Sequence, residues 1–250
     1  MLGSAIHWVL LCGLNVICVA YAVLLTFIFE LYFACFLPLF LVLGKGRLDD
    51  ALRYHNGYYG AFMVCLFRPI IRVRRRGMEH LPTRGPVMMV TNHRSLFDIF
   101  FFGLTQQPNV AVLVRSWPFR LPVLGRFMRG AGYIDIERLS FDKTSELIRQ
   151  LSSRRVSALC FVEGHRSRDG RLQRFRSGAF RLAVECYLPV LPVCVTGSEQ
   201  LCAPGSRLIR PASIDFLILS PVETASFPAE KRALKVRRHV ENIFREQLGE

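Results

Sequence analysis

The chain has 250 residues, 51% of them hydrophobic, with 33 Lys and Arg against 19 Asp and Glu for a formal charge of +14; its mean hydropathy is +0.28. The apolar content excludes intrinsic disorder, and positive hydropathy in so basic a chain argues against an ordinary soluble globule. Residues 1–43 contain one charged side chain, Glu30, so residues 44–250 hold all 33 basic residues against 18 acids: an apolar leader precedes a basic body.

Residues 5–29 are uncharged over 25 positions, enough to cross a bilayer core that needs about 20 helical residues, and they predict a transmembrane or deeply inserted helix. Apolar character resumes after Glu30 for 13 residues, too few for a second straight span, and Pro38 is expected to interrupt a helix there. The expectation is a shorter membrane-embedded piece, such as the return arm of a hairpin, so that residues 1–43 form the anchor. A signal peptide is the competing reading, since Ala20-Tyr21-Ala22 has a small-x-small pattern; no Lys or Arg precedes it, and the apolar run continues well past it.

Residues 44–76 carry Lys45, Arg47, Arg53, Arg68, Arg72, Arg74, Arg75 and Arg76 against Asp49 and Asp50. By the positive-inside rule this flank and the body behind it stay cytoplasmic. Residues 48–66, apolar and aromatic, suit an interfacial helix and a core helix of the body equally well. Residues 44–80 are therefore expected to be a basic interfacial helix and linker, and residues 81–250 the main domain.

In that domain, short apolar runs at 87–91, 110–114, 133–136, 156–162, 190–195 and 214–219 predict strands. Amphipathic runs at 95–104, 141–151, 178–186 and 231–248 predict helices. The alternation indicates an α/β fold, a mostly parallel sheet flanked by helices, with ligands beyond the strand C-termini. The eight cysteines form no CxxC pair or ligand spacing and read as buried apolar residues, so neither a metal nor a disulfide framework is expected. Phosphate-loop, dinucleotide-turn, GxSxG and HExxH motifs are missing. Basic charge without a recognition motif favours anionic lipid as partner, and no nucleic acid is expected.

Two segments carry chemistry. In Asn92-His93-Arg94-Ser95-Leu96-Phe97-Asp98, residues five apart on a regular helix diverge by about 140°, so His93 and Asp98 can touch only if His93 precedes the helix. Ser95-x-x-Asp98 resembles a capping box and would place them so, Asp98 in the first turn and tilted back. Asp98 would then fix one imidazole nitrogen and leave the other to accept a proton from a substrate hydroxyl. Helix capping explains Asp98 equally well, and both readings stand on this segment alone. In the second segment, Glu163-Gly164-His165-Arg166-Ser167 opens a loop with five arginines between 166 and 176. Guanidinium forks there suit a phosphate-bearing ligand, against the alternative of a solvated charged loop. Glu163 reads as a clamp on an arginine or a backbone amide.

Together these segments resemble the 1-acylglycerol-3-phosphate acyltransferase family of membrane-associated glycerolipid acyltransferases. Asn92 to Asp98 matches its NHx4D block, and Glu163 to Ser167 its EGTRS block, followed by Phe175-Arg176 and Gly178. Leu121-Pro122-Val123-Leu124-Gly125 with Gly132 to Arg138 is similar to the second block, and Val190-Leu191-Pro192-Val193 with Gly197 to the last. The resemblance implies the glycerolipid acyltransferase fold, an N-terminal membrane anchor, and a location at the cell inner membrane with the catalytic domain on the cytoplasmic face. It makes His93 the general base on the lysolipid hydroxyl and Asp98 its orienter. Arg115, Gly132, Arg138, Glu163, Gly164, Arg166 and Ser167 become acceptor-binding residues. Acyl-CoA or acyl carrier protein would be the donor, a lysophospholipid the acceptor, with no cofactor. Trp117 stands where the family has an acid, and His165 where it has threonine, which leaves another lysophospholipid or a lyso amino-acid lipid open as acceptor. An esterase using water, or a scaffold that only binds anionic membrane, are the competing functions.

Overall fold

In the computed structural model, residues 2–43, 47–82, 85–105, 107, 109–167, 171–202 and 208–250 are described, apart from the side chains of residues 2–11, 14, 40 and 43. Lys45 of the basic flank, and Arg168 and Gly170 of the arginine-rich loop, lie outside the described residues.

The leader forms one helix, α1 (Leu2–Leu43), that runs through Pro38, so the expected break and hairpin arm do not form. A proline removes the single hydrogen bond its own nitrogen would give, whereas ending the helix in apolar surroundings would strand several backbone groups. A helix of 42 residues extends about 63 Å at 1.5 Å per residue, and Asn15–Leu39 has the length and composition to cross a membrane. The Asn15 side chain donates to the Ile209 carbonyl at 3.1 Å and accepts from its amide at 2.6 Å. Further along, Thr26 Oγ1 and the Tyr59 hydroxyl are 3.0 Å apart and Glu30 lies 3.1 Å from His55 Nε2. The Phe33 ring stacks on His55 at 3.8 Å.

Helix α2 (Leu48–Leu66) is a core helix of the body, with Ala51, Arg53, His55, Gly60, Met63 and Val64 buried. Buried Arg53 ties it inward: its Nε donates to Asn109 at 2.7 Å, its Nη1 to the Ala131 carbonyl at 2.7 Å, and its Nη2 to Asp50. Arg154 binds Asp49 and Asp50, each at 2.8 Å, so the two acids of the flank serve this network.

The sheet comprises β1 (Ile71–Arg76), β2 (Met88–Thr91), β3 (Val110–Val114), β4 (Ile134–Asp135), β5 (Ser157–Phe161), β6 (Val190–Thr196) and β7 (Ala212–Ile218). Their spatial order is β1-β7-β6-β2-β5-β3-β4. Neighbours pair in parallel except β6 with β7, so the sheet is mixed and mostly parallel. The helices are α3 (Asp98–Phe101), α4 (Pro122–Gly130), α5 (Phe141–Ser153), α6 (Gly178–Glu185), α7 (Ser198–Leu201) and α8 (Arg232–Leu248). The six expected strands lie within two residues of their expected ends. Strand β1 falls inside the stretch expected as linker. Only Ile71 and Val73 point inward while Arg72, Arg74, Arg75 and Arg76 are exposed, as an edge strand permits. The helix expected over 95–104 is shortened to α3 and a 3-10 turn at Phe102–Thr105, because the Asp98 carboxylate holds residues 94 and 95 in the turn before it.

Alternate residues of β2 feed two cores, as a pleated strand requires. Met88 and Val90 join Phe175, Phe180, Val236, Val240 and Phe244, under α6 and α8. Met89 joins Met63, Phe101, Phe102, Leu191 and Val193, under α2 and α3. The C-terminal ends of β2, β5, β3 and β4 share one edge of the sheet, and the loops that leave there carry His93, Glu163, Arg115 and Arg138.

Candidate active site

The backbone leaves β2 at Thr91 and is pinned at once. Asn92, fully buried, donates from Nδ2 to the Val195 carbonyl at 2.7 Å and accepts the Val195 amide at 2.9 Å on Oδ1. This two-point clamp to β6 fixes the start of the turn. His93 Nδ1 lies 2.9 Å from Asp98 Oδ2, and the same oxygen accepts the amides of Arg94 at 2.7 Å and Ser95 at 2.8 Å. Asp98 is fully buried, whereas the His93 side chain is 21% exposed. A carboxylate against Nδ1 assigns the proton to that nitrogen and the lone pair to Nε2, which has no partner among the described residues. The ring sits on Phe161 at 4.2 Å between centroids.

The loop after β5 holds His93 from the other side. Glu163, 1% exposed, accepts the His93 amide at 2.9 Å on Oε1 and the Gln173 amide at 3.0 Å on Oε2. The Ser167 amide donates to the His93 carbonyl at 2.8 Å. Glu163 is therefore a clamp on backbone amides. Burial pushes its pKa up to about 7, against the lowering by those two amides. Gly164 turns the chain at φ +78° with Arg176 packed where a side chain would start, a conformation that favours glycine. Arg166, half-buried, has no hydrogen-bond or ion-pair partner among the described residues. It lies near Cys202, whose thiol is raised by burial and lowered in part by this guanidinium; the Cys202 carbonyl in turn accepts from Ser95 Oγ at 3.4 Å.

The structure thus brings His93, Asp98, Glu163, Gly164 and Ser167 into direct or adjacent contact, with Arg166 beside them. Arg115 is placed on the same sheet edge, but its Nε donates to Glu137 at 2.7 Å, and Glu137 also accepts the Ser116 amide at 2.9 Å. That amide and then Arg115 hold the Glu137 carboxyl below its ordinary pKa. Arg138 is exposed after β4, its amide donating to Asp135 at 3.3 Å. Gly132 is not part of the cluster: it precedes β4, away from that edge, and faces the Arg53 guanidinium. Asn92 and Arg94 were missed as site residues. Arg94 is buried and paired with Glu250 at 3.2 Å and Glu199 at 3.7 Å. For Asn92 the signal was its place at the head of the NHx4D-like block; for Arg94 it was only adjacency to His93. No group of three or more metal-ligating side chains occurs among the described residues.

The chain is 29% identical over 165 residues, 64% of its length and 58% of the relative's, to a 1-acyl-sn-glycerol-3-phosphate acyltransferase of Limnanthes douglasii. It is 28% identical over 186 residues, 70% of its length and 65% of the relative's, to the human protein named 1-acyl-sn-glycerol-3-phosphate acyltransferase alpha. The chain thus spans about three-fifths of the length of these relatives. The crystal structure of the LPA acyltransferase PlsC from Thermotoga maritima shares the fold with a TM-score of 0.65 at 23% identity, over 88% of this chain and 94% of that one. The model of the acyltransferase family matches residues 72–196, which span the turn, the clamp and both strands that hold them, and this protein belongs to that family.

Proposed function

We propose that this protein is a membrane-bound O-acyltransferase that moves a fatty acyl group from acyl-CoA or acyl carrier protein to the free hydroxyl of a lysolipid, above all 1-acylglycerol-3-phosphate to give phosphatidic acid. The observation that carries this reading is His93, its Nδ1 held by a buried carboxylate at 2.9 Å and its Nε2 open at the sheet edge. The acceptor hydroxyl passes its proton to Nε2 as its oxygen attacks the thioester carbonyl. The carbon–oxygen bond forms, the carbon–sulfur bond breaks, and the proton goes on to the departing thiolate. A thioester is already activated, so base catalysis of about 10²–10⁴ with positioning of two bound substrates meets the demand.

Asp98 orients the imidazole, and Glu163 and Ser167 hold the His93 backbone. Arg166, with Arg138 along the edge, offers guanidinium groups to the acceptor phosphate. Arg115 acts through Glu137, and Gly132 packs against Arg53. The names of the curated relatives support this acceptor. Exposed Trp117, in place of an acid, favours as second reading a lysophospholipid with a larger headgroup or a lyso amino-acid lipid. Residues 1–43 anchor the enzyme, residues 44–80 join the anchor to the body through α2 and β1, and residues 81–250 carry the chemistry. The basic flank after α1 supports a catalytic domain on the cytoplasmic face of the inner membrane.

The test is a panel of lysolipids offered to the purified protein with one fixed acyl-CoA. Ester formation on 1-acylglycerol-3-phosphate is expected. Release of free fatty acid alone would replace the reading with an esterase, and vesicle binding without any product would replace it with a scaffold.

A further inference from the structure

Among the described residues of the loop after Glu163, Arg166 and the pair Arg174 and Arg176 lie in different places. Arg166 lies near Cys202. Arg174 and Arg176 instead line a cavity of about 500 Å³ between this loop and α8, together with His165, Leu234 and Arg237. Glu163 forms part of its wall, the same carboxylate that holds His93 on the other side. Arg237 is the buried member: 8% exposed, it donates from Nη1 to the Phe175 carbonyl at 2.9 Å, which fixes its guanidinium at the cavity wall.

Charge in the cavity is unbalanced. Glu241 is 3.7 Å from Arg237 but is shared with Arg245 at 3.2 Å. Both Glu163 oxygens are taken by backbone amides. Arg174 and Arg176 are exposed at the mouth and have no ion pair among the described residues. Three guanidinium groups around a space of this size fit a tetrahedral dianion with several acceptor oxygens better than a single carboxylate.

We infer that this cavity is a second phosphoryl-binding site, formed by Arg174, Arg176 and Arg237 and separated from His93 by the Glu163 carboxylate. Its occupant is a phosphoryl group of one of the two substrates, either the nucleotide phosphates of an acyl-CoA or the headgroup phosphate of the acceptor. That assignment to a substrate rests on the acyltransferase reading; occupancy of the cavity does not.

The experiment is the thermal midpoint of the full chain in detergent, titrated with inorganic phosphate, adenosine 3′,5′-bisphosphate or glycerol 3-phosphate against chloride of equal ionic strength. A ligand that binds the native state raises the midpoint. A rise is expected with phosphate in the wild type and in Arg166→Ala, with apparent affinity weakened about ten-fold or more in Arg174→Ala/Arg176→Ala. A larger effect of the bisphosphate assigns the site to the donor, and a larger effect of glycerol 3-phosphate to the acceptor; either supports it. No rise in the wild type, an unchanged rise in the double variant, or equal loss in the double variant and Arg166→Ala overturns it. Mapping of phenylglyoxal modification on the wild-type chain needs no variant: phosphate should slow reaction at Arg174 and Arg176 and leave exposed Arg74 on β1 unaffected, and equal slowing at all three would contradict the site. Neither readout involves turnover, so failure of acyl transfer and failure of phosphate binding are separate results.

Discussion

One oxygen of Asp98 accepts from His93 Nδ1 and from the amides of Arg94 and Ser95. Asp98 opens α3 without capping it; the same atom orients the imidazole and holds the amides of the turn before the helix. Glu163 does the complementary work on the backbone, and its titration has a measurable consequence. Burial raises its folded pKa from 4.5 to about 7, so the folded state holds this proton more tightly than the unfolded chain. The stability from this group is fully present below pH 4.5 and is lost as pH rises through about 7. Subtracting the pH–stability curve of Glu163→Gln from that of the wild type should therefore give a difference that declines between these limits and is flat above them. A difference that rises over the same window would contradict the assignment.

At the scale of elements, α2 approaches α3 and the turn behind it almost backbone to backbone. A methyl group on Gly103 would come within 2.2 Å of the Ala61 nitrogen and 2.6 Å of the Gly57 carbonyl, and one on Gly60 within 2.8 Å of the Phe100 carbonyl. Gly103→Ala must push α2 away from the segment that carries Asp98. It should cost about 1–3 kcal/mol in denaturant unfolding and lower acyl transfer by more than a surface change does; a stability equal to wild type would show that the elements have room to part. The site was legible in the sequence where its partners are neighbours. His93 and Asp98 are five residues apart, and the geometry of a helix start was enough to bring them together. Arg53 with Asn109 and Asn92 with Val195 join residues 56 and 103 positions apart, and nothing local announces such pairs. Strand β1 hid for a different reason: an arginine-rich edge strand and a basic linker have the same composition, and only its pairing with β7 distinguishes them. Pro38 misled because one lost hydrogen bond is less costly than a helix end in apolar surroundings.

For the whole molecule, the positive charge divides into several surfaces. Arg68, Arg72, Arg74 and Arg75 are exposed around β1, Arg166 stands beside His93, and Arg174 and Arg176 face α8. Helix α1 binds the body through Asn15, Thr26 and Glu30 while Leu24, Phe27, Ile28 and Leu31 remain exposed. Replacing Leu24 and Phe27 by Arg, at about 2.5–3.5 kcal/mol each in a bilayer centre, should move the protein from the vesicle pellet to the supernatant on flotation or sedimentation. Unchanged partitioning would mean that this face does not meet lipid. Acyl transfer by this site depends on His93, and the most direct measurement is the rate of acyl ester formation by His93→Ala with acyl-CoA and 1-acylglycerol-3-phosphate under saturating conditions. A fall of about 10²–10⁴-fold with the thermal midpoint retained is the expected result; turnover equal to wild type would contradict it.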